Sequence, residues 1–266
     1  MKDIRVVIIE DDLFARNWAA MLLARDWRTT LAGEVNAKTD LLPFVKTLPG
    51  KVDLFLLDVD HIGERFGASK DLQTLADGLQ RGSRILLTGI RPLEGILQQT
   101  RHERICGYIL KDEINYSLTW AVSMAMEGHW ISTPGVEELA AGMNFRLPPN
   151  RLEIDGRSLP HNFTDHEEDI ARLALLFSME RRDLADEKKI TEDWSYGLVS
   201  GIYKKLGLVE LLNGEITPEE ALGSNPLALE HVRGIINQLK AGKHKARDME
   251  TLAFHILTMP EMHLCP

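Results

Sequence analysis

The first half of the chain alternates short apolar runs with amphipathic stretches, and this pattern restricts the fold more than any other feature. Apolar strands joined by helices are typical of a parallel sheet covered on both faces. The pattern predicts a doubly wound α/β domain with a five-stranded parallel sheet, whose ligand site lies beyond the carboxyl ends of the strands. The predicted strands are Val6–Ile9, Thr30–Val35, Leu54–Leu57, Ile85–Thr88 and Gly107–Leu110.

The bulk composition excludes several classes of protein. The chain has 266 residues, of which 44% are hydrophobic and 27% charged, as in globular proteins of one large or two ordinary domains. No apolar run approaches the roughly 18 residues of a membrane span, and the start MKDIRVV lacks a signal-peptide layout. The two cysteines, Cys106 and Cys265, suit neither a disulfide framework nor a metal finger. We therefore expect a cytoplasmic protein with no membrane partner.

The charge is spread so that neither half of the chain is basic. The net charge is −9. Residues 1–150 carry 17 basic and 20 acidic side chains, and residues 151–266 carry 14 and 20. Binding to a polyanion would therefore need local clusters of basic residues rather than a bulk field.

After Gly128 the alternation of apolar runs with amphipathic stretches ends. Residues 129–162 hold four prolines and several glycines, which predicts a linker. From Phe163 onward the pattern is helical, and Thr164 followed by Glu167 predicts a capping box. The second half is therefore expected to be an all-α domain.

Three carboxylates, Glu10, Asp11 and Asp12, follow the first predicted strand directly. Two carboxylates about 4 Å apart repel by about 4 kcal/mol at an effective dielectric near 20. Such a cluster needs a cation or a solvated turn to offset the repulsion.

Polar residues also end three of the other strands: Asp58 the third, Thr88 the fourth and Lys111 the fifth. Because the ends of parallel strands meet at one edge, we expect these side chains to share a pocket with Glu10 and Asp11.

This set resembles the active site of the receiver domain of two-component response regulators, over roughly residues 1–128. The resemblance implies that Asp58 accepts a phosphoryl group from a sensor histidine kinase. It also implies that Mg²⁺ is held by Glu10, Asp11, Asp58 and the backbone carbonyl of Asp60. Carboxylate and carbonyl oxygens are the ligands that this hard ion prefers. Asp12 is expected just outside the metal's ligands.

The same resemblance gives the remaining residues their roles. Lys111 would pair with a phosphoryl oxygen, the Thr88 hydroxyl would donate to another, and Tyr108 would rotate as the switch once Thr88 moves inward. An alternative is a pseudo-receiver that keeps the fold without using phosphate, because the loop VDHIGERFG after Asp58 lacks a proline that often occurs there. His61 lies in this loop and could reach the pocket.

The segment Phe163–Leu208 resembles the LuxR/NarL-type helix-turn-helix, most specifically in SGIYKKLGL. The implied domains are a receiver over 1–128, a linker over 129–162, a helix-turn-helix domain over 163–209 and a C-terminal helical extension over 210–266. The groove-reading helix is expected over Glu192–Leu206. Its start is acidic, and the extension carries the densest basic run, LKAGKHKAR. The candidate DNA contacts are Lys188, Lys189, Trp194, Tyr196, Lys204 and Lys205.

The sequence thus predicts a phosphorylation-controlled transcriptional regulator rather than an enzyme. Its expected partners are a sensor histidine kinase, promoter DNA and, on phosphorylation, a second copy of the chain. The alternative is a receiver-gated adaptor whose helical half binds a protein, since Glu192 and Asp193 would face the negative groove of DNA.

Overall fold

The computed structural model describes residues 3–36, 41–60, 77, 79, 82–156, 163–223, 225–241 and 245–265. The chain divides into two compact units. The first consists of Met1–Arg157 together with Pro260–Pro266, and the second of Ser158–Met259. None of the helices that the structure describes is long and apolar enough to cross a membrane.

Within the described residues, the first unit contains one sheet of eight strands in the order β2-β1-β3-β4-β5-β6-β7-β8. Neighbours from β1 to β7 pair in parallel, and only β8 is antiparallel. The first five strands have the flavodoxin-like order 2-1-3-4-5, so the predicted α/β fold is confirmed. The strands are β1 (Ile4–Ile9), β2 (Thr29–Val35), β3 (Leu54–Asp58), β4 (Arg84–Gly89), β5 (Ile105–Leu110), β6 (Trp130–Ser132), β7 (Arg151–Asp155) and β8 (Glu261–Cys265).

Helices cover both faces of this sheet, which is why its central strands are apolar along their length. Val7 and Phe55 pack in the same buried cluster as Val136. Ile8 and Leu56 instead share a cavity wall with residues of the first helix. The helices are α1 (Leu13–Arg25), α2 (Leu41–Thr47), α3 (Glu94–Leu97), α4 (Lys111–Ile114), α5 (Leu118–Glu127) and α6 (Pro134–Gly142), with a 3₁₀ turn at Asn115–Ser117.

The sheet is larger than the five strands predicted, and residues 129–162 are not a linker. Their described part contains β6, α6 and β7, which extend the parallel sheet. The Pro and Gly residues mislead here because Pro134 lies in the first turn of α6, where its missing N–H is tolerated. Leu152 and Ile154 of β7 are fully buried, while the polar residues alternating with them are half-buried. The compact first unit therefore runs past residue 128 to Arg157.

The C-terminal extension predicted over 210–266 is helical only in part. It ends in β8, which pairs with β7 with Asp155 opposite Glu261 and Arg151 opposite Cys265. The second unit is therefore an insertion between two neighbouring strands of the first unit's sheet, a long-range pairing that no local sequence pattern indicates.

The second unit is built from helices, as predicted. The capping box of Thr164 and Glu167 starts its first helix, and a helix covers the predicted groove-reading segment almost residue for residue. The side chains of the basic run at 240–247 all lie outside the described ones. The helices are α7 (Asp165–Ala171), continued by a π-helical turn (Arg172–Leu176), then α8 (Arg181–Lys188), α9 (Glu192–Lys205), α10 (Leu208–Asn213), α11 (Pro218–Leu222), α12 (Pro226–Ala241) and α13 (Lys245–Leu257).

Candidate functional site

The carboxyl ends of β1 and β3 bring three acidic side chains together. Carboxylate oxygens of Glu10, Asp11 and Asp58 lie within 4.8 Å of one another. Glu10 is 5% exposed and Asp58 only 1%. The two strands are neighbours in the sheet, at the point where the strand order reverses, which is where open α/β sheets place their ligands. The predicted acidic pocket is therefore present.

Lys111, the first residue after β5, supplies the positive charge of this cluster. Its Nζ atom lies 2.8 Å from Glu10 Oε2, 2.8 Å from Asp58 Oδ1 and 3.5 Å from Asp60 Oδ2. Burial acts to lower the pKa of the ammonium, but the hydrogen bonds to Asp58 and Glu10 outweigh it and raise the pKa above its usual value. Lys111 therefore remains charged at any physiological pH.

The carboxyl group of Asp58 has an unusual environment. Burial raises its pKa to about 6 from an ordinary value of 3.8, the hydrogen bond from Lys111 opposes this rise, and the charge of Glu10 adds to it. Lys111 engages only Oδ1. The other oxygen, Oδ2, is buried and has no hydrogen-bond partner among the described residues. Asp58 is therefore mostly ionised at neutral pH and keeps one oxygen for a further interaction.

The donor set fits a hard divalent cation. Mg²⁺ takes carboxylate oxygens in near-octahedral geometry and keeps several waters. Glu10, Asp11 and Asp58 offer such oxygens at close range, and the single charge of Lys111 does not balance them. A cation contacting Asp58 Oδ2 would satisfy that buried oxygen. These three residues would therefore hold Mg²⁺.

Asp60 has a role beyond the predicted one. Its carboxylate accepts a hydrogen bond from the Ile90 amide at 2.8 Å while also facing Lys111. It thus links the loop after β3 to the loop after β4. The use of its backbone carbonyl as a metal ligand remains a prediction.

Thr88 and Tyr108 lie where the switch residues were predicted. Thr88, in β4, is paired in register with Asp58 and is largely buried. Tyr108 is fully buried; its hydroxyl donates to the Arg91 carbonyl at 3.1 Å and accepts from the Leu93 amide at 3.2 Å. Burial also raises the pKa of this hydroxyl. Tyr108 therefore fastens the loop that follows Thr88.

Two neighbours of the acidic cluster explain how it is held in place. Asp12 is the N-cap of α1, and its Oδ1 accepts from the Ala15 amide at 2.7 Å. Arg16, one turn into α1, donates to the Glu10 carbonyl at 2.7 Å and pairs with Glu34 at 3.7 Å. Arg16 was not predicted as a site residue, although a basic residue one helical turn after an acidic run is a signal that the sequence shows. A cavity of about 460 Å³ adjoins the cluster and is lined mainly by apolar residues.

The second unit presents part of the predicted DNA-contacting set. Trp194 and Tyr196 on α9 are 62% and 56% exposed. Lys189 and Lys204 are also exposed, and no ion pair involving either appears among the described residues. These four side chains are available to a partner.

The other two candidate lysines are paired with acids. Lys188 lies 3.0 Å from Asp169. Lys205 lies 2.7 Å from Glu167 and 5.3 Å above the ring centre of Phe163. Both ion pairs link α8 or α9 to the N-terminal part of the unit, so the two lysines are engaged within it.

Comparison with solved structures returns response regulators, the class that the sequence resembles. ChrA, from a haem-sensing two-component system, is 20% identical over 78% of this chain and 92% of its own, with a TM-score of 0.37. RcsB in a DNA complex is 16% identical over 77% and 93%, with a TM-score of 0.46. The receiver domain of NarL from Mycobacterium tuberculosis is 22% identical over 48% and 99%, with a TM-score of 0.38. No protein-family model and no curated protein matches the chain.

Proposed function

We propose that this chain is a two-component response regulator in which Asp58 accepts a phosphoryl group from a phosphohistidine of a sensor kinase. One observation supports this most strongly. Four parallel strands deliver a buried aspartate, two further carboxylates, a threonine and a lysine to one edge of the sheet. An isolated acidic cluster would not require the lysine and threonine at these positions.

We assign a task to each side chain. A carboxylate oxygen of Asp58 attacks the phosphorus atom, the bond from phosphorus to the histidine nitrogen breaks, and the electron pair leaves with the imidazole. Lys111 holds Oδ1 of Asp58 in place through a hydrogen bond. Glu10, Asp11 and Asp58 would hold Mg²⁺, which would neutralise negative charge on the transferred group.

Phosphorylation would then alter the balance of charge around Lys111. A phosphoryl group adds about 1.5 to 2 negative charges and competes with Glu10 for the ammonium. The Thr88 hydroxyl donates to a phosphoryl oxygen. Because Tyr108 and Asp60 both fasten the loop after Thr88, a displacement of that threonine is transmitted to the loop. This change controls the output of the helical unit and favours a homodimer.

For the output we propose promoter binding through α9. Helix-turn-helix units place such a helix in the major groove, and Trp194, Tyr196 and Lys204 are exposed along it. Dimerisation would raise the affinity of a weakly basic reading helix through effective concentration.

A protein-binding adaptor is the second candidate, and a specific observation favours it. Two of the four lysines expected to contact DNA are engaged with Asp169 and Glu167, and α9 begins with Glu192 and Asp193. A random duplex titrated across a salt series separates the two outputs. Steeply salt-dependent binding supports a DNA-binding function, and an absence of binding at low salt supports the protein-binding adaptor.

The receiver function is tested with acetyl phosphate and Mg²⁺. The parent chain is expected to acquire one phosphoryl group, and the Asp58→Asn variant none. Equal labelling of the two proteins would contradict the assignment, whereas no labelling of either would favour the phosphate-independent pseudo-receiver.

A further inference from the structure

The chain leaves the sheet for the helical unit and returns from it at neighbouring positions of two paired strands. The outgoing connection follows Asp155 at the end of β7, and the returning one precedes Glu261 at the start of β8. These two residues are partners in the β7–β8 pairing. Any change at this end of the two strands therefore reaches both covalent connections to the second unit.

One turn of helix separates this point from the acidic cluster. Helix α4 begins with Lys111 and ends at Ile114, where Asn115 has a φ of 43° that stops the helix. The Glu113 carbonyl accepts a hydrogen bond from the Gly156 amide at 2.9 Å. The element that carries the site's ammonium is thus bonded to the residue at which the chain leaves β7.

The side chain of Glu113 adds a second attachment. Its Oε2 accepts from the Gly135 amide at 2.9 Å, and Gly135 lies in the first turn of α6, between β6 and β7. Glu113 is 8% exposed. Two independent hydrogen bonds from one residue therefore connect α4 to the added part of the sheet.

The packing at these contacts leaves almost no free space. A Cβ atom on Gly156 would lie 2.1 Å from the Ile114 carbonyl oxygen, and one on Gly135 would lie 2.7 Å from a methyl carbon of Leu110. Backbone in such close contact cannot be displaced on one side alone. A shift of α4 must therefore displace the end of β7.

We propose that α4 couples the phosphorylation state of Asp58 to the β7–β8 exit of the helical unit, with Glu113 as the positioning residue. The inference rests on the function proposed above. Phosphate on Asp58 draws the Lys111 ammonium away from its present partners, α4 follows Lys111, and the hydrogen bonds of Glu113 carry the shift to Gly156. Signal transfer by this route uses elements outside the Thr88 and Tyr108 pair.

Hydrogen exchange on the full-length chain tests the coupling, with Mg²⁺ and beryllofluoride as the phosphoryl mimic. In the parent chain, the mimic is expected to change amide exchange by about fivefold or more in peptides covering the end of β7 with Gly156 and the start of β8. Intrinsic fluorescence, with Trp18 beside the site, follows binding of the mimic separately.

Two variants isolate the role of Glu113. Glu113→Ala removes the side-chain bond to Gly135 and keeps the backbone bond to Gly156, so it is expected to bind the mimic while losing part of the exchange response at Gly156. Glu113→Gln should restore the response, since its amide oxygen can accept the same hydrogen bond. A merely structural role would lower protection equally with and without the mimic.

A glycine pair gives a steric test with a matched control. Gly156→Ala collides with the Ile114 carbonyl, whereas Gly142→Ala, at the end of α6, meets open space. We expect that only Gly156→Ala abolishes the change in amide exchange that binding of the mimic causes. If Gly156→Ala does not fold, the exchange response of the parent chain decides the question.

The outcomes separate the two proposals. A parent chain that fails to bind the mimic overturns the receiver function and the coupling with it. A parent chain that binds the mimic without any exchange change at Gly156 and β8 overturns the coupling and leaves the receiver function standing. A response of Glu113→Ala equal to that of the parent overturns the positioning role of the Glu113 side chain.

Discussion

The Nζ atom of Lys111 lies 2.8 Å from the Oδ1 atom of Asp58, so the residue after β5 neutralises the last residue of β3 across the intervening strand. The same ammonium contacts Glu10 at the same distance. This bridging offsets part of the repulsion among the carboxylates at this edge of the sheet. It also places Lys111 in competition with any metal ion that binds the same oxygens.

The first prediction follows from that competition. Replacing Lys111 with alanine removes a positive charge next to the metal's ligands, so we expect Mg²⁺ to bind at least about fivefold more tightly, while phosphorylation of Asp58 becomes slower. Calorimetric titration measures the affinity. Lys189→Ala, an exposed lysine of the second unit, is the control and should bind Mg²⁺ as the parent does. An unchanged affinity in Lys111→Ala would show that the two cations use different oxygens.

The second prediction concerns pH. Because burial raises the pKa of Asp58 to about 6, this carboxyl group binds more protons in the native state than in the unfolded chain between about pH 4 and pH 6. The contribution of Asp58 to the free energy of unfolding therefore falls as pH rises through this window. Asp58→Asn lacks this dependence, so its stability relative to the parent should increase by about 2 to 3 kcal/mol from acid to neutral pH. Urea titrations without Mg²⁺ measure the free energy of unfolding of both proteins at each pH. A difference between them that stays constant with pH would refute the prediction.

The third prediction concerns the exposed glycines of α9. Gly197 and Gly201 lie inside the helix, and a Cβ atom at either meets open space. Glycine costs a helix about 1 kcal/mol relative to alanine, so Gly197→Ala and Gly201→Ala should each stabilise the chain by about that amount. Thermal or urea unfolding measures the change. A loss of stability in either variant would mean that the exposed face of α9 is packed against something in solution.

The fourth prediction separates lysines that contact DNA from those that hold the helical unit together. Lys204 is exposed on α9, so Lys204→Ala should reduce the slope of log affinity against log salt by about 1. Lys188→Ala breaks the pair with Asp169 and should change stability more than the slope. Anisotropy titrations of a duplex at several salt concentrations measure both variants. Equal slopes for the parent and Lys204→Ala would remove this lysine from the interface.

The sequence predicts those parts of the structure that depend on the local spacing of apolar residues. Four buried apolar runs end in Asp11, Asp58, Thr88 and Lys111, and a parallel sheet has one carboxyl edge, so the strand pattern alone brings these residues together. Helix α9 and the capping box at the start of α7 were equally predictable, because helix caps and apolar spacing act within a few residues.

The added strands escaped prediction for physical reasons. β6 has three residues, too few to show a period, and Pro134 looked like a linker residue although it starts α6. β8 exists because β7 offers an unpaired edge, and its partner lies more than a hundred residues earlier in the chain. Glu113 was missed because its function depends on two backbone amides, of Gly135 and Gly156, that only the folded sheet brings near.

We propose that Asp58 accepts a phosphoryl group with the help of Mg²⁺ and Lys111. Intact-mass spectrometry of the full-length chain after incubation with acetyl phosphate and Mg²⁺, followed by peptide mapping, is the decisive experiment. We expect a single added phosphoryl group on the peptide containing Asp58, abolished by Asp58→Asn and by chelation of the metal. An unmodified chain, or a phosphoryl group on another residue, would contradict it.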